Sequence, residues 1–325
     1  MISHDAIFNI STEQEFQSLA LDVFKFQFEN NRIYRSFCDL LYIHPSDITQ
    51  IEDIPFLPIQ FFKSHEVLSS SDSVQMIFES SGTTGTITSK HHLTNLSLYE
   101  RSFMSGFNHF YGSIDDYAIL GLLPSYLERE GSSLVYMVDH LIKRSNHPSS
   151  GFYLNATNKL VDQIKQLEKD QQPTLLIGVS FALLDLIEQH KFQLKNTIVM
   201  ETGGMKGRRK EMIRAELHQK LKNGFGVDNI HSEYGMTELL SQAYARGGNL
   251  FETPPWMKIL IRDTEDALTI IEAEKAGAIN IIDLANINSC SFIATQDLGK
   301  LHKNGFEVLG RFDHSDVRGC NLLVL

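Results

Sequence analysis

The feature that most constrains the fold is a regular alternation of short apolar runs and amphipathic segments in the middle of the chain. The apolar runs predict strands at 117–123, 174–179 and 197–201. The amphipathic segments predict helices at 94–110, 133–144, 158–169, a stretch ending at residue 190, and 209–222. Strands that alternate with helices form βα units, which assemble into a mainly parallel sheet with helices on its faces. The pattern therefore predicts the α/β class.

Both ends of the chain differ from this middle part. The first 45 residues predict helices, because Thr12 and Glu15 have the spacing of a capping box and apolar residues then recur at helical intervals. After about residue 250 the pattern predicts strands joined by turns, at 256–262, 268–273, 278–284 and 307–309. The expected segments are an N-terminal helical segment packed on the body (1–60), an α/β core (61–250), and a β-rich lobe with a C-terminal tail (251–325).

Composition argues against several classes of function. The 325 residues include 29 Lys or Arg and 40 Asp or Glu, a net charge of −11, which disfavours nucleic acid or an anionic membrane as the main partner. No signal peptide is evident, and no apolar stretch approaches the roughly 18 residues of a membrane span. The three cysteines, Cys38, Cys290 and Cys320, are too few for a disulfide framework, so we expect a reducing, cytoplasmic location.

A loop rich in glycine and hydroxyl groups is the clearest candidate for a binding site. Residues 78–90 read Phe-Glu-Ser-Ser-Gly-Thr-Thr-Gly-Thr-Ile-Thr-Ser-Lys. Glycine lets the backbone approach a ligand closely, and hydroxyls and backbone N–H groups followed by a lysine suit a polyphosphate. The spacing matches neither the P-loop nor the Rossmann fingerprint. The alternative interpretation is a polar surface turn between a strand and a helix.

Three further motifs follow this loop in a fixed order. They are Tyr-Gly-Met-Thr-Glu at 234–238, Asp-Leu-Gly at 297–299 and Gly-Arg-Phe-Asp at 310–313. The ordered set resembles the adenylate-forming superfamily of acyl-CoA synthetases, peptide-synthetase adenylation domains and firefly luciferase. Three other segments, 123–129 with the serines that follow, 201–207 and Arg-Gly-Cys at 318–320, narrow the resemblance. They resemble the acyl-protein synthetases, the fatty-acid-activating component of the fatty acid reductase complex of bacterial luciferase.

The resemblance implies a set of ligands for ATP and Mg²⁺. The β- and γ-phosphates would be bound by Ser80, Ser81, Gly82, Thr83, Thr84 and Gly85. The adenine would contact Gly203, Gly204 and Tyr234, with Gly235 next to it, and the ribose would contact Asp297. Arg311 would bind the ribose or a phosphate, Thr237 the α-phosphate, and Glu238 the Mg²⁺ ion. Taken singly, each has a structural alternative: Tyr234 as a core aromatic, Glu238 as the start of a helix, Asp297 as part of a turn.

Two departures from the superfamily concern catalysis. Its members usually have a small C-terminal lid domain that supplies a lysine, whereas this chain ends twelve residues after Asp313. We therefore expect the large-domain fold without that lid. Either the lid lysine is dispensable here, or Lys90 or Arg311 replaces it, or a partner protein supplies the cation. Serine precedes Lys90 where the superfamily usually has proline, so Lys90 is either a phosphate ligand or a solvated side chain. His91 and His92 are further phosphate or carboxylate contacts, or incidental polar residues.

The resemblance implies ATP-dependent activation of a carboxylic acid, with a fatty acid as the expected substrate. The acyl group would then pass to a thiol, with Cys320 as the expected acceptor, and on to an acyl-CoA-type reductase or an acyl carrier protein. Arg318 would favour the Cys320 thiolate by lowering its pKa. Cys320 has a structural alternative as a buried residue of a closing strand. Three alternatives for the function remain: a ligase that uses an external thiol of CoA or a carrier protein, a binding module without turnover, and a subunit that a partner activates.

Overall fold

The computed structural model describes residues 2–80, 87–123, 131–153, 158–203 and 212–311. The chain forms two compact units, the first from Met1–Ser73 with Pro255–Leu325 and the second from Val74–Pro254. The sequence pattern placed the divisions after residues 60 and 250 and the N-terminal helices on the α/β body. In the structure those helices instead share a unit with the C-terminal strands, because their buried side chains pack and hydrogen-bond there.

The N-terminal part of the first unit is helical, as its apolar spacing predicts. Its elements are α1 (His4–Phe8), α2 (Glu13–Asn30), α3 (Arg32–Leu40), the two-residue strand β1 (Leu57–Pro58) and α4 (Phe61–Ser64). The predicted capping box is present, since Glu15 N donates to Thr12 Oγ1 (3.2 Å) and Thr12 N donates to Glu15 Oε2 (3.1 Å). Among the helices of the described ranges, none has both the length and the hydropathy needed to cross a bilayer.

The second unit is the predicted α/β body. Its elements are β2 (Met76–Glu79), β3 (Lys90–Leu93), α5 (Leu96–Tyr111), β4 (Ala118–Leu122), α6 (Ser133–Ser145), β5 (Gly151–Phe152), α7 (Asn158–Lys169), β6 (Thr174–Val179), α8 (Ser180–Gln189), β7 (Thr197–Thr202), α9 (Arg214–Phe225), β8 (His231–Tyr234) and β9 (Ala243–Ala245). Six strands form one sheet in the order β5-β4-β6-β7-β8-β9, parallel except for the β8–β9 pair. Every residue of β4 and β6 is buried, as expected for central strands covered on both faces. The α/β prediction is confirmed.

The C-terminal part of the first unit contains four longer strands. They are β10 (Met257–Arg262), β11 (Ala276–Asp283), β12 (Phe292–His302) and β13 (Gly305–Arg311). The sheet order is β1-β12-β11-β10, with β13 also paired to β12, and all pairs are antiparallel except β1–β12. The β-rich lobe is confirmed, but the strand expected at 268–273 is wrong. That segment makes only one isolated bridge, Arg262 to Ile270, because Asp263 and Asp266 accept turn-type backbone hydrogen bonds there.

An aromatic cluster joins the N-terminal helices to the C-terminal sheet. The Phe292 ring of β12 is fully buried, with ring centroids at 6.2 Å from Phe24, 6.0 Å from Tyr34 and 6.2 Å from Phe56. Beside it, the buried Gln27 amide donates to the Ile287 carbonyl (2.8 Å) and accepts from Ser291 N (2.9 Å). These contacts explain why the N-terminal and C-terminal segments of the chain form one unit.

Candidate active site

The glycine–hydroxyl loop connects β2 and β3, which form an antiparallel hairpin. At its base Ser80 N donates to the Ser89 carbonyl (3.0 Å), and Ser89 N donates to Ser80 Oγ (2.9 Å). The loop residues Ser81, Gly82, Thr83, Thr84 and Gly85 lie outside the described residues. The sequence pattern expected the loop to lead to a helix, but β3 comes first and α5 follows it. The short polar sequence of β3, Lys-His-His-Leu, carries no strand signal of its own.

Lys90 lies opposite Glu79 in this hairpin. Its Nζ is 3.4 Å from Glu79 Oε1, and both side chains are about half exposed, at 52% and 44%. An exposed ion pair of this kind is worth about 0–1 kcal/mol or less, because water and salt screen it. The pairing therefore leaves the Lys90 ammonium available to a more highly charged anion.

The Tyr-Gly-Met-Thr-Glu turn follows β8 in the second unit. Tyr234 is buried, with its ring centroid 5.7 Å from that of Phe251, and Glu238 is only 5% exposed. Thr237 between them is half-buried. A Cβ at position 235 would lie too close to Glu233 Oε1, so a side chain there would displace that carboxyl oxygen. The turn thus contains both a buried aromatic ring and a buried carboxylate.

His91 connects the two predicted phosphate-binding segments. It is 1% exposed, and its Nδ1 lies 2.8 Å from the Thr237 carbonyl oxygen. A carbonyl only accepts, so Nδ1 carries the proton and donates. The hairpin that holds the glycine–hydroxyl loop is therefore tied directly to the turn that holds Thr237 and Glu238. The sequence offered His91 only as a lone histidine, and its partner is 146 residues away.

A buried polar cluster fixes the Glu-Thr-Gly segment at the end of β7. Glu201 accepts from Ser180 Oγ (3.1 Å), and its Oε1 lies 3.6 Å from His218 Nε2 and 3.9 Å from Arg214 Nε. Burial alone would raise the pKa of Glu201, but the His218 hydrogen bond and the Arg214 charge outweigh it, and that pKa lies below its usual value. Ser180 Oγ is also 2.6 Å from the carbonyl of Gly203, which has a φ of +70°. Gly204 lies outside the described residues.

For a second carboxyl group, on the neighbouring strand β8, the pKa is shifted in the opposite direction. Glu233 Oε2 accepts a 2.5 Å hydrogen bond from Thr202 Oγ1. Removal from water and the nearby Glu201 charge raise the pKa of Glu233 to about 7, although the Thr202 hydrogen bond lowers it. The two acids lie at the carboxyl ends of adjacent parallel strands, where open α/β sheets bind ligands. The sequence pattern did not single out Glu233 or assign Glu201 a role.

In the first unit, the Asp-Leu-Gly and Gly-Arg motifs come together. Asp297 and Arg311 are partners across the β12–β13 ladder, with 3.7 Å between Asp297 Oδ1 and Arg311 Nε. The Asp297 side chain is largely buried, whereas that of Arg311 is 67% exposed. Cys320 lies outside the described residues.

The fold is that of solved adenylate-forming ligases. A 2-hydroxyisobutyryl-CoA ligase, solved in an open conformation with 2-HIB-AMP and CoA, matches with a TM-score of 0.69 at 9% identity, over 93% of this chain and 70% of the ligase. ATP-bound MatB from Rhodopseudomonas palustris matches with a TM-score of 0.55 at 19% identity, over 74% of this chain and 49% of MatB. The large-domain fold expected from the motif order is confirmed.

Two sequence comparisons specify the family. The family model of the acyl-protein synthetase, LuxE, matches residues 3–122. A long-chain-fatty-acid–luciferin-component ligase of Photorhabdus luminescens is 33% identical over 88 residues, which are 26% of this chain and 75% of that protein. The chain belongs to the acyl-protein synthetase family. It is therefore an AMP-forming acid–thiol ligase by class.

The described residues of this acyl-protein synthetase bring together part of the predicted site. In the second unit, Ser80 and Lys90 lie on the hairpin that His91 ties to the turn of Thr237 and Glu238. Gly203 ends the β7 segment next to this turn's strand, and Asp297 and Arg311 pair in the first unit. The assignment of each residue to a part of ATP stays a prediction.

Removing the His91 side chain tests whether this tie positions the nucleotide site. We expect His91→Ala to weaken Mg·ATP binding roughly tenfold, because a partly buried carbonyl left without its donor costs about 1–3 kcal/mol. His91→Asn keeps an N–H donor near the position of Nδ1 and should restore most of the affinity. The measurement is the dissociation constant for Mg·ATP by calorimetry. Equal affinities in the wild type and His91→Ala would show that the tie has no positioning role.

Proposed function

We propose that this acyl-protein synthetase activates a fatty acid with ATP and transfers the acyl group to a thiol. The observation that most supports the proposal is the His91–Thr237 hydrogen bond, because it joins the two segments with phosphate-binding chemistry in one unit. The family supports acid activation, and the name of the Photorhabdus relative points to a long-chain fatty acid.

The reaction has two displacement steps. First, a carboxylate oxygen of the acid attacks the α-phosphorus of ATP, the bond to the bridging oxygen breaks, and pyrophosphate leaves. Second, a thiolate sulfur attacks the acyl carbon, AMP leaves, and a thioester remains. Charge accumulates on the α-phosphate in the first step, so N–H and O–H donors and cations must point at it. We assign Thr237 and Lys90 to this task, with Ser80 at the base of the loop that contacts the other phosphates.

The described residues fit a magnesium ion that arrives with the nucleotide. Within the described part of the chain, no group of three or more His, Cys, Asp or Glu side chains could hold a metal alone. Mg²⁺ commonly uses one or two carboxylates together with substrate phosphates, and the buried Glu238 carboxylate matches that requirement. When bound, the ion neutralises phosphate charge. We keep Asp297 as the predicted contact of the ribose, and Arg311 as the predicted contact of the ribose or a phosphate.

The cysteines differ in their ability to accept the acyl group. Cys38 and Cys290 are both fully buried. Burial raises the pKa of the Cys38 thiol to about 12 and that of Cys290 further, so neither forms a thiolate near neutral pH. We assign the acceptor role within the chain to Cys320, as the family resemblance implies, and the burial of the other two cysteines supports this choice. The second acceptor would be a partner, an acyl-CoA-type reductase or an acyl carrier protein.

Intact mass spectrometry with parallel pyrophosphate release tests the proposal. The wild type, Cys320→Ser and the control Cys38→Ala are incubated with Mg·ATP and fatty acids of several lengths. We expect an acyl-sized mass gain in the wild type and the control, and none in Cys320→Ser, which still releases pyrophosphate. Pyrophosphate release without a mass gain in the wild type would reject Cys320 and favour an external thiol. No pyrophosphate release with any acid would reject the activity.

A further inference from the structure

The two carboxyl groups at the ends of β7 and β8 face opposite sides of the sheet. Glu201 and its register partner Ser232 contact Ser180 of α8 and His218 of α9. Successive side chains of a strand alternate, so the next pair, Thr202 and Glu233, points to the other face. That is the face of α5.

The surroundings of Glu233 disfavour a negative charge. Among the described residues no salt bridge reaches its carboxyl group, and its hydrogen-bond partner there is the Thr202 hydroxyl. The titratable groups that interact with it are Glu201 of β7, Tyr99 and Tyr111 of α5, and Tyr244 of β9. The tyrosines are buried or nearly so, and burial raises the pKa of each, so they stay neutral. Glu201 adds repulsion.

Two basic groups near this face do not neutralise Glu233. Burial lowers the pKa of His231, two residues earlier on the same face, to about 4, so its ring is neutral and accepts from or donates to Tyr111. The Arg246 guanidinium pairs with both oxygens of Glu252, at 3.0 and 3.1 Å. Within the described ranges, Glu233 thus has no cationic partner, and the Thr202 hydroxyl holds its carboxyl group in position.

The second oxygen of this carboxyl group is directed at the turn of the candidate site. Oε2 accepts from Thr202, whereas Oε1 lies against the backbone of the exposed Gly235 and makes no hydrogen bond to any described residue. With Thr202 donating to Oε2, the proton of the neutral acid resides on Oε1 and can be donated outward. Because Gly235 has no side chain, it does not cover Oε1 on the side of the turn that leads to Thr237.

We propose that Glu233 is a specificity-determining residue that donates a hydrogen bond from Oε1 to the carboxylate of the acid substrate. This inference rests on the proposed function, because it places the acid beside the turn that holds Thr237. A carboxylate next to ionised Glu233 would be repelled, so binding of the acid requires the proton. The neutral carboxyl both attracts the substrate anion and orients it for attack on the α-phosphorus.

The consequence is that the binding affinity for the acid substrate depends on pH, whereas the affinity for ATP does not. Below the pKa of Glu233 the affinity for the acid is constant, and above pH 7 it falls by up to about tenfold per pH unit, since one proton is taken up on binding. The affinity for ATP carries no such dependence from this group.

The test compares the wild type, Glu233→Gln and Glu233→Ala between pH 6 and 8.5, with KM measured separately for the acid and for ATP. We expect the wild-type KM for the acid to rise above pH 7. Gln keeps an N–H donor without a titrating proton, so the KM of Glu233→Gln should be flat. Glu233→Ala removes both the hydrogen-bond donor and the titrating charge, so it should raise the KM for the acid below pH 7, make that KM independent of pH, and leave the KM for ATP unchanged. Glu216→Gln, an exposed acid of α9 paired with Lys220, is the matched control and should follow the wild type.

A measurement on the wild type alone covers the case in which a variant does not fold. Binding of the acid at pH 8, with a non-hydrolysable ATP analogue present, is followed by calorimetry in buffers of different ionisation enthalpy. We expect uptake of about one proton per acid bound. No proton uptake, or a pH-dependent KM that persists in Glu233→Gln, would overturn the role of Glu233. Pyrophosphate release that stays absent with every acid and at every pH would instead reject the proposed function.

Discussion

Glu238→Gln is expected to slow pyrophosphate release by about 100-fold or more, the size of effect seen when one group that stabilises transition-state charge is removed. The glutamine has nearly the same shape and occupies the same buried position, so the turn keeps its hydrogen bond to His91. What is lost is the negative charge that we propose holds Mg²⁺ at the phosphates. The measurement is the rate of pyrophosphate release at saturating acid and ATP, repeated over a range of Mg²⁺ concentrations.

The magnesium series separates a metal ligand from a structural residue. Loss of a ligand should raise the Mg²⁺ concentration needed for half-maximal rate, whereas thermal unfolding should remain close to that of the wild type. The exposed Glu216→Gln, which changes the same chemical group on α9, is the control and should retain the wild-type rate. A normal rate in Glu238→Gln would contradict the assignment.

Phe292→Ala is expected to destabilise the first unit by about 3–5 kcal/mol, the cost of removing a large buried aromatic ring and leaving a cavity. Phe292 is fully buried on β12 and packs against Phe24, Tyr34 and Phe56 from the N-terminal segment. Its removal therefore weakens both the sheet and the helices that pack on it. Tyr42→Ala, at a side chain that is 95% exposed, should change stability by less than about 0.5 kcal/mol.

Denaturant unfolding followed by tryptophan fluorescence measures this loss of stability in the first structural unit. Trp256 is the only tryptophan of the chain, and it is buried against Phe8 with ring centroids 5.0 Å apart. Both residues belong to the first unit, so the signal reports its unfolding. A loss below about 1 kcal/mol would mean that the surrounding rings close the cavity.

Much of the second unit could be predicted from the sequence because its signals are local. The buried runs of β4, β6 and β7 and the amphipathic helices between them show their periodicity within a few residues. The same holds for the capping box of α2. By contrast, β12 lies between β11 and β13 in its sheet, and its Thr-Gln-Asp-Leu-Gly-Lys segment has no apolar alternation. Its strand character comes from the neighbours on both sides.

Some features of the candidate site could likewise be predicted from the sequence, and others could not. The order of its motifs could be read from the sequence and implied the adenylate-forming superfamily, and three further segments implied the acyl-protein synthetases. The comparisons confirm that family. The role of His91 could not be predicted, because the sequence does not show whether a histidine is buried or which distant group it contacts. The role of Glu233 could not be predicted either, because its raised pKa depends on removal from water and on the charge of Glu201 in another strand.

The sequence by itself determined the α/β class, the β-rich lobe and the order of the motifs that we predict to bind ATP, because residues close together along the chain carry each of these signals. Only the tertiary structure decided which distant groups meet: Gln27 with Ile287, His91 with Thr237, and Thr202 with Glu233. Hydrogen bonds and shifted pKa values depend on the distances between groups and on the burial of side chains. These distances and this burial are set only when the chain has folded.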